Sequence, residues 1–422
     1  MLLVLLATIL AGCSGLSRTG DSRETGPSDP GTVLLISLDG FRWDYIERYA
    51  PRNLTALAQT GVRAKALIPV FPTKTFPNHY SIVTGLYPAE HGIISNNMYD
   101  PDRDAWFSMR DREAVSHPAW WGGEPIWVTA EKQGLITATY FWPGSEGPID
   151  GIQPTYWKEF DDTIPGNDRV SEVLGWLDLP EEQRPSFVSM YFSDVDIAGH
   201  DFGPDDPRTG EVIARVDGYL GDLLDGLRER NLLESTNILV VSDHGIASRS
   251  PDRVVFLDDY LEQDDAAVVD WSPVLALWPK DLDVDSLYAR LHGVHEHLQI
   301  YRRTEIPERF RFSGNARIAP IIGIADEGWS IGRRSRFESQ WYSGGTHGYD
   351  NELRSMHGIL IAHGPEFGSR VELPAIECIH LYELMADIIG VTPAPNSGSV
   401  EATASMRNIT RDRKATPSTW TN

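Results

Sequence analysis

Three apolar runs in this chain each stop at an acid. Residues 32–38 (Thr-Val-Leu-Leu-Ile-Ser-Leu) run into Asp39, residues 186–193 into Asp194-Val-Asp196, and residues 237–242 into Asp243-His244. Apolar runs without alternation are the mark of strands buried on both faces, the situation of a parallel sheet. Parallel strands need crossover connections, and helical patterns lie between the runs, at residues 52–60 closed by Gly61, 167–177 and 207–230. The reading is an α/β fold with a mostly parallel central sheet flanked by helices. In such sheets ligands gather at the carboxyl ends of the strands, where these acids stand.

Further strands are expected at residues 62–70, 135–142 and 357–363, and a last helix at 376–389. From 248 to 344 the pattern changes to short strands (274–278, 299–302) and one helix (284–291), which reads as a smaller inserted subdomain. Residues 100–123, with Trp106, Trp120 and Trp121, read as a surface excursion, and 153–165 as an aromatic-rich loop.

The acids have company. Asp196 and His200 are spaced i, i+4, so one helical turn puts them on one face. His244 follows Asp243, and His347 sits among small residues in Gly344-Gly-Thr-His-Gly348. Three Asp and three His are mixed oxygen and nitrogen donors, which suit zinc better than magnesium or calcium. With one threonine oxygen they suffice for two metal ions and an open position. A cluster of histidines at residues 292–297 offers a rival surface site, or a polar junction between helix and strand. His79 reads as a supporting or packing residue.

The threonine is Thr75, in Phe71-Pro-Thr-Lys-Thr-Phe-Pro-Asn-His79. Pro72 and Pro77 exclude a strand interior, and Pro77 fits a first helical turn. Thr75 is an N-cap residue type, and a helix start offers free N–H groups to an anion. Alone it reads as an ordinary cap. Beside a two-metal site its hydroxyl becomes a candidate nucleophile, because metal coordination favours the alkoxide.

Several segments together resemble the nucleotide pyrophosphatase/phosphodiesterases of the alkaline phosphatase superfamily. They are Leu38-Asp-Gly-Phe41, Lys74-Thr-Phe-Pro-Asn-His79, Thr84-Gly-Leu-Tyr-Pro88, His91-Gly-Ile-Ile94, Asp196-Ile-Ala-Gly-His200 with Gly203-Pro204, Asp243-His-Gly245 and His347-Gly-Tyr-Asp-Asn351. They occur in the family's order across residues 32 to about 400. The resemblance implies an alkaline-phosphatase-like core and a zinc phosphodiesterase that releases nucleoside monophosphates through a phospho-threonine on Thr75. It implies one zinc on Asp39, Asp243 and His244, with the Thr75 oxygen as a further ligand, and a second on Asp196, His200 and His347. Asn96 would donate to a phosphoryl oxygen together with the Phe76 N–H. Phe76 and Tyr191 would line the substituent pocket, with Phe160 where many members have tyrosine. A glycerophospho- or lysophospholipid head-group diesterase is the alternative, with Asp161-Asp162 as its carboxylates. Sulfatases need a Cys or Ser that Thr75 does not provide. No arginine near Thr75 in sequence suggests the clamp of a phosphomonoesterase.

The sum of 37 Lys and Arg against 61 Asp and Glu gives a net charge of −24, which repels polyanions and argues against a nucleic-acid-binding surface. Residues 1–10 are apolar and end in Leu10-Ala-Gly-Cys13, too short to span a bilayer but similar to a bacterial lipobox, although basic residues before the core are missing. On this reading residues 1–12 are a signal peptide, 13–31 a tether, 32–402 the catalytic domain with its insertion at 248–344, and 403–422 a disordered tail. The protein would be held on the periplasmic or extracytoplasmic side of a bacterial envelope, touching membrane only through lipid on Cys13. The alternative is a plain apolar N-terminus. Cys378, the one other cysteine, then has no partner and reads as a buried thiol in the last helix.

Overall fold

The computed structural model describes residues 31–408. Its central sheet has eight strands, in the order Val371–Leu373, Val62–Ala64, Leu360–His363, Thr236–Val241, Thr32–Leu38, Phe187–Phe192, Thr137–Tyr140 and Tyr156–Lys158. Only Leu360–His363 runs against its neighbours. The three acid-terminated runs are adjacent, Thr32–Leu38 pairing in parallel with Phe187–Phe192 on one side and Thr236–Val241 on the other. Their carboxyl ends therefore meet at one point.

Alternate residues of the middle strand feed two cores, which explains its lack of polar alternation. Val33 and Leu35 pack with Tyr80, Ile82 and Leu384 on one face. Leu34, Ile36 and Leu38 pack with Val216, Leu220 and Leu224 on the other. The helices Thr75–Thr84 and Leu381–Ile389 contribute to the first layer, and Gly166–Leu177 and Pro207–Glu229 to the second. A separate antiparallel sheet runs Ala266–Asp270, Val274–Pro279, Ile321–Ala325, Leu298–Arg302. With the helix Val284–Leu291 it encloses a third core around Leu275, Leu287 and Ile300.

Several local expectations are corrected. The strand expected at 62–70 is two strands that change partner: Val62–Ala64 lies in the main sheet, while Leu67–Ile68 pairs with Ile376–Glu377. The last helix accordingly begins at Leu381, after that strand and a 3-10 turn at Cys378–His380. Cys378 is buried, and burial pushes its thiol up to about 12. The excursion at 100–123 is anchored by a hairpin, Asn97–Asp100 with Ala105–Ser108, and Trp120 and Trp121 belong to the core. Only Trp106 of the three is exposed. The tail expected from 403 is packed chain as far as Asn408, since Thr403 and Met406 in the turn Glu401–Met406 are fully buried. No helix among the described residues is long and apolar enough to cross a membrane.

Candidate active site

The sheet carries Asp39 and Asp243 to the same spot from neighbouring strands. Asp196 arrives in the first turn of the helix Asp194–Phe202, where the i, i+4 spacing brings His200 Nε2 to 3.5 Å from its Oδ2. Close approach is built into the backbone here. Gly40 has φ +68°, and a Cβ on it would stand 2.8 Å from the Asp196 Cα.

Two groups of side chains follow from this convergence. Asp196, His200 and His347 form one, with His347 Nε2 3.8 Å from Asp196 Oδ1. His244 occupies the other, its Nε2 3.0 Å from Asp243 Oδ2 and 3.5 Å from Asp39 Oδ1. Asp39 stands between the two, close enough to Asp196 and His244 to share an ion with them.

The proton positions decide what these groups can hold. In all three histidines Nδ1 faces a backbone carbonyl, Gly345 for His200 (3.0 Å), Gly245 for His244 (2.9 Å) and Thr73 for His347 (2.8 Å). A carbonyl only accepts, so each Nδ1 carries a proton and Nε2 is the nitrogen each ring turns inward. Burial holds His244 and His347 well below the usual imidazole range, with the neighbouring imidazoles adding to it for both. At His244 a lone pair thus faces a carboxylate oxygen at 3.0 Å. Asp39 Oδ1, Asp196 Oδ1 and Asp243 Oδ2 are buried without a hydrogen-bond donor. Burial raises all three carboxyl groups; at Asp39 the charges of Asp243 and Asp196 add to it, and at Asp243 the charge of Asp196 does. Orphaned acceptors aimed at one another fit a cation between them. The donor set therefore suits a metal centre.

His79 is different. Its Nδ1 is 2.9 Å from the Thr75 carbonyl and its Nε2 is 2.7 Å from Ser37 Oγ, so both nitrogens are used inside the fold. Its Nδ1 also lies 3.3 Å from Asp243 Oδ2, close enough to group with Asp39 and Asp243, but both its nitrogens are already committed to the Thr75 carbonyl and Ser37. The histidines at 292–297 do not converge. His297 bonds Asp326 and stacks on Trp329, and they join none of the metal-type groups among the described residues.

Thr75 is the first residue of its helix, and Lys74 takes the cap position. Its hydroxyl is not spent on capping, and Oγ1 lies 3.5 Å from His244 Nε2. The Phe76 N–H and Asn96 do not stand as two independent donors: the N–H gives its hydrogen to Asn96 Oδ1 at 2.9 Å. That bond turns the Asn96 amide so that its NH2 is the free donor.

Beside Thr75 is a cleft lined by Phe76, Tyr191 and Phe160, and also by Met109, Val115, Phe141, Pro143, Arg112 and Glu146. Phe76 is itself largely buried, against Phe107 and Trp121. Tyr191 donates from its hydroxyl to Asp39 Oδ2 at 2.6 Å, joining the cleft wall to the metal-type centre. Phe141 holds φ +67°, a strained conformation for a bulky residue, and the Arg169 guanidinium lies 5.1 Å from its ring centre. The sequence around Thr75 offers no arginine, but the fold brings a distant one into the cleft, Arg112 from the helix Arg112–Ser116. It is paired with Glu146, which offsets its charge. No local pattern announces Arg112, Glu146 or Phe141; tertiary folding alone brings them in. Asp161 lies outside the cleft and caps Thr163.

Fold and site define an α/β protein with a buried carboxylate–imidazole centre and a threonine beside it, at the carboxyl ends of a parallel sheet. The family model for type I phosphodiesterase / nucleotide pyrophosphatase matches residues 33–350, and the chain belongs to that family. It is 39% identical over 397 residues to venom phosphodiesterase CdcPDE of Crotalus durissus collilineatus, covering 92% of this chain and 47% of that protein. It is 37% identical to ectonucleotide pyrophosphatase/phosphodiesterase family member 5 of Homo sapiens, covering 88% of this chain and 77% of that one. The solved structure of the murine family member 5 superposes with a TM-score of 0.86 at 36% identity, covering 89% of this chain and all of that one. An inactive threonine-to-alanine form of the murine protein, in complex with AMP, matches equally well. The chain spans about half the length of the venom relatives it matches. These relatives are snake and mammalian proteins, and they overturn the expected bacterial lipid-anchored location. The lipobox-like segment at Cys13 lies outside the described residues.

Proposed function

We propose that this chain hydrolyses nucleotide phosphodiesters or pyrophosphates, with Thr75 as the nucleophile and release of a nucleoside monophosphate. Asp39, Asp243 and His244 would hold one zinc ion, and Asp196, His200 and His347 a second. Bound there, the ions would supply Lewis-acid charge for the threonine oxygen and for the leaving oxygen. Thr75 Oγ1 gives up its proton to solvent and attacks phosphorus, the bond to the leaving oxygen breaks and that group departs, and the nucleoside monophosphoryl group rests on Thr75 until water displaces it, returning the proton to Oγ1. The Asn96 NH2 holds a phosphoryl oxygen, and its carbonyl is fixed by the Phe76 N–H. The nucleoside half lies against the aromatic wall beside Thr75, with Phe160 as the ring it stacks on. Tyr191 keeps Asp39 oriented.

The observation that carries this reading is the Thr75 hydroxyl, unused as a helix cap, which faces the His244 Nε2 on one side and an aromatic cleft on the other. The relative whose structure is solved in complex with AMP favours a nucleotide. A choline head group needs a carboxylate in an aromatic cage. Asp161 does not line the cleft, and Glu146 is already neutralised by Arg112. The test is a panel of dinucleotides, nucleotide pyrophosphates and glycerophosphocholine, scored by the product released. Nucleotides should win in kcat/KM. Preference for glycerophosphocholine would overturn the nucleotide reading, and no turnover of any diester would overturn the reaction class.

A further inference from the structure

Lys74 and Ser95 each precede a residue of the proposed machinery, Thr75 and Asn96, and both are buried. One carboxylate joins them. Asp270 Oδ2 takes Lys74 Nζ at 2.5 Å and the Ser95 hydroxyl as well, while Oδ1 takes the backbone N–H of Trp271 at 3.0 Å. Asp270 is buried too. It ends the strand Ala266–Asp270 of the antiparallel lobe, far from Thr75 in sequence. The register of that strand slips between Val268 and Asp270, an irregularity of the kind that re-aims a side chain.

The nucleophile segment and the Asn96 segment are therefore tied twice, at successive residues. Lys74 and Ser95 meet on Asp270, and one residue on, the Phe76 N–H meets Asn96. The stem of Lys74 is walled in by Gly348, where a Cβ would come within 3.2 Å of its Cε. Thr73 is fixed to the same loop, donating to the Tyr349 carbonyl and accepting from the Gly348 N–H.

We propose that Asp270 is a positioning residue, through which the antiparallel lobe sets the distance between Thr75 and Asn96 during phosphoryl transfer; this rests on the reading of Thr75 as nucleophile. A buried ammonium and hydroxyl that share one oxygen have a single arrangement, whereas either segment alone has freedom to shift. Misplacement by about 1 Å costs as much as 10²-fold in rate. Asp270 touches no substrate, so its loss should act on the reaction and leave substituent binding alone.

The test compares Asp270→Ala, Asp270→Asn and the paired Lys74→Met with Asp270→Leu, using the full chain loaded with zinc and a p-nitrophenyl diester. Asp270→Ala should lower kcat by about tenfold to 10²-fold with KM nearly unchanged. Asp270→Asn keeps an acceptor for Ser95 and should recover part of the rate. The paired variant removes both buried charges, so it should melt closer to the parent than Asp270→Ala does, yet stay slow. If the variants melt early but the folded, zinc-loaded fraction turns over at the parental kcat, Asp270 is merely structural and the proposal fails. Thr75→Ala is the control for the underlying reading. An inactive Thr75→Ala beside a fully active Asp270→Ala rejects this inference alone, whereas an active Thr75→Ala rejects the nucleophile.

Discussion

The imidazoles of His244 and His347 lie stacked, ring centres 3.6 Å apart and planes within 13°. Each is bonded through Nδ1 to a backbone carbonyl, so both Nε2 atoms are held inward. Two charged rings would repel at this distance, and burial keeps both neutral. The stack thus fixes two lone pairs side by side, one toward Asp243 and the other toward Asp196.

Metal removal follows from that arrangement. Active protein should contain about two zinc ions per chain, and chelation should abolish turnover until zinc is restored. Added zinc should also raise the melting temperature, since it binds only the folded centre tightly. Elemental analysis that finds no transition metal in active protein would refute the zinc assignment.

Thr75 supplies the second test. Thr75→Ala should cost several orders of magnitude in turnover, and Thr75→Ser should keep part of it. Quenching during turnover should trap phosphate on Thr75, read by mass spectrometry. Near-normal rates in Thr75→Ala would assign the attack to water.

His91 gives a pH dependence away from the metal centre. It is fully buried, its Nδ1 accepting from the Ile93 N–H and its Nε2 3.0 Å from Ser81 Oγ, and so it fixes the turn that leads to Asn96. Burial lowers its pKa to about 3. Between the unfolded value and that figure the unfolded chain binds the extra proton. Stability is therefore full above about pH 6.5 and falls as pH drops toward 3, by up to about 1.4 kcal/mol per pH unit from this group. His91→Asn keeps an acceptor for Ile93 and removes the titration. Its denaturant midpoint should fall at neutral pH but decline less steeply with acid. An unchanged acid slope would show that other groups govern it.

The strand ends were legible because a strand buried on both faces writes an unbroken apolar run, and an acid at its end breaks it visibly. The Asp39, Asp196 and Asp243 convergence follows once those strands are known to be neighbours. The change of partner at Lys65, the short helix at Leu381 and the buried Trp120 and Trp121 were not legible, since each depends on which distant segment supplies the next contact. The same holds for Arg112, Glu146 and Asp270. A surface arginine, a loop glutamate and a strand-end aspartate look ordinary until the fold places them around Thr75.

The cleft aromatics divide into two roles that mutation can separate. Phe76 stands directly after Thr75, but it is packed against Phe107 and Trp121, so Phe76→Ala would unsettle the core as well as the cleft. Phe160 is only half-buried and packs on Phe141 at 5.3 Å and Tyr191 at 6.2 Å, which makes it the cleaner probe. A base stacked on it is worth about 1–3 kcal/mol. Phe160→Ala should therefore raise KM for nucleotides by roughly 5-fold to 100-fold while a p-nitrophenyl diester is less affected. Tyr191 acts at the other end of the cleft, where its hydroxyl donates to Asp39. Tyr191→Phe keeps the ring and loses that bond, so nucleotide KM should hold while zinc affinity or kcat falls by about 10-fold to 100-fold. Both substrates should suffer equally, because the defect lies at the metal centre. If Phe160→Ala slows both substrates alike, stacking is not what holds the nucleoside. If Tyr191→Phe changes nucleotide KM alone, the hydroxyl serves the substrate and not Asp39.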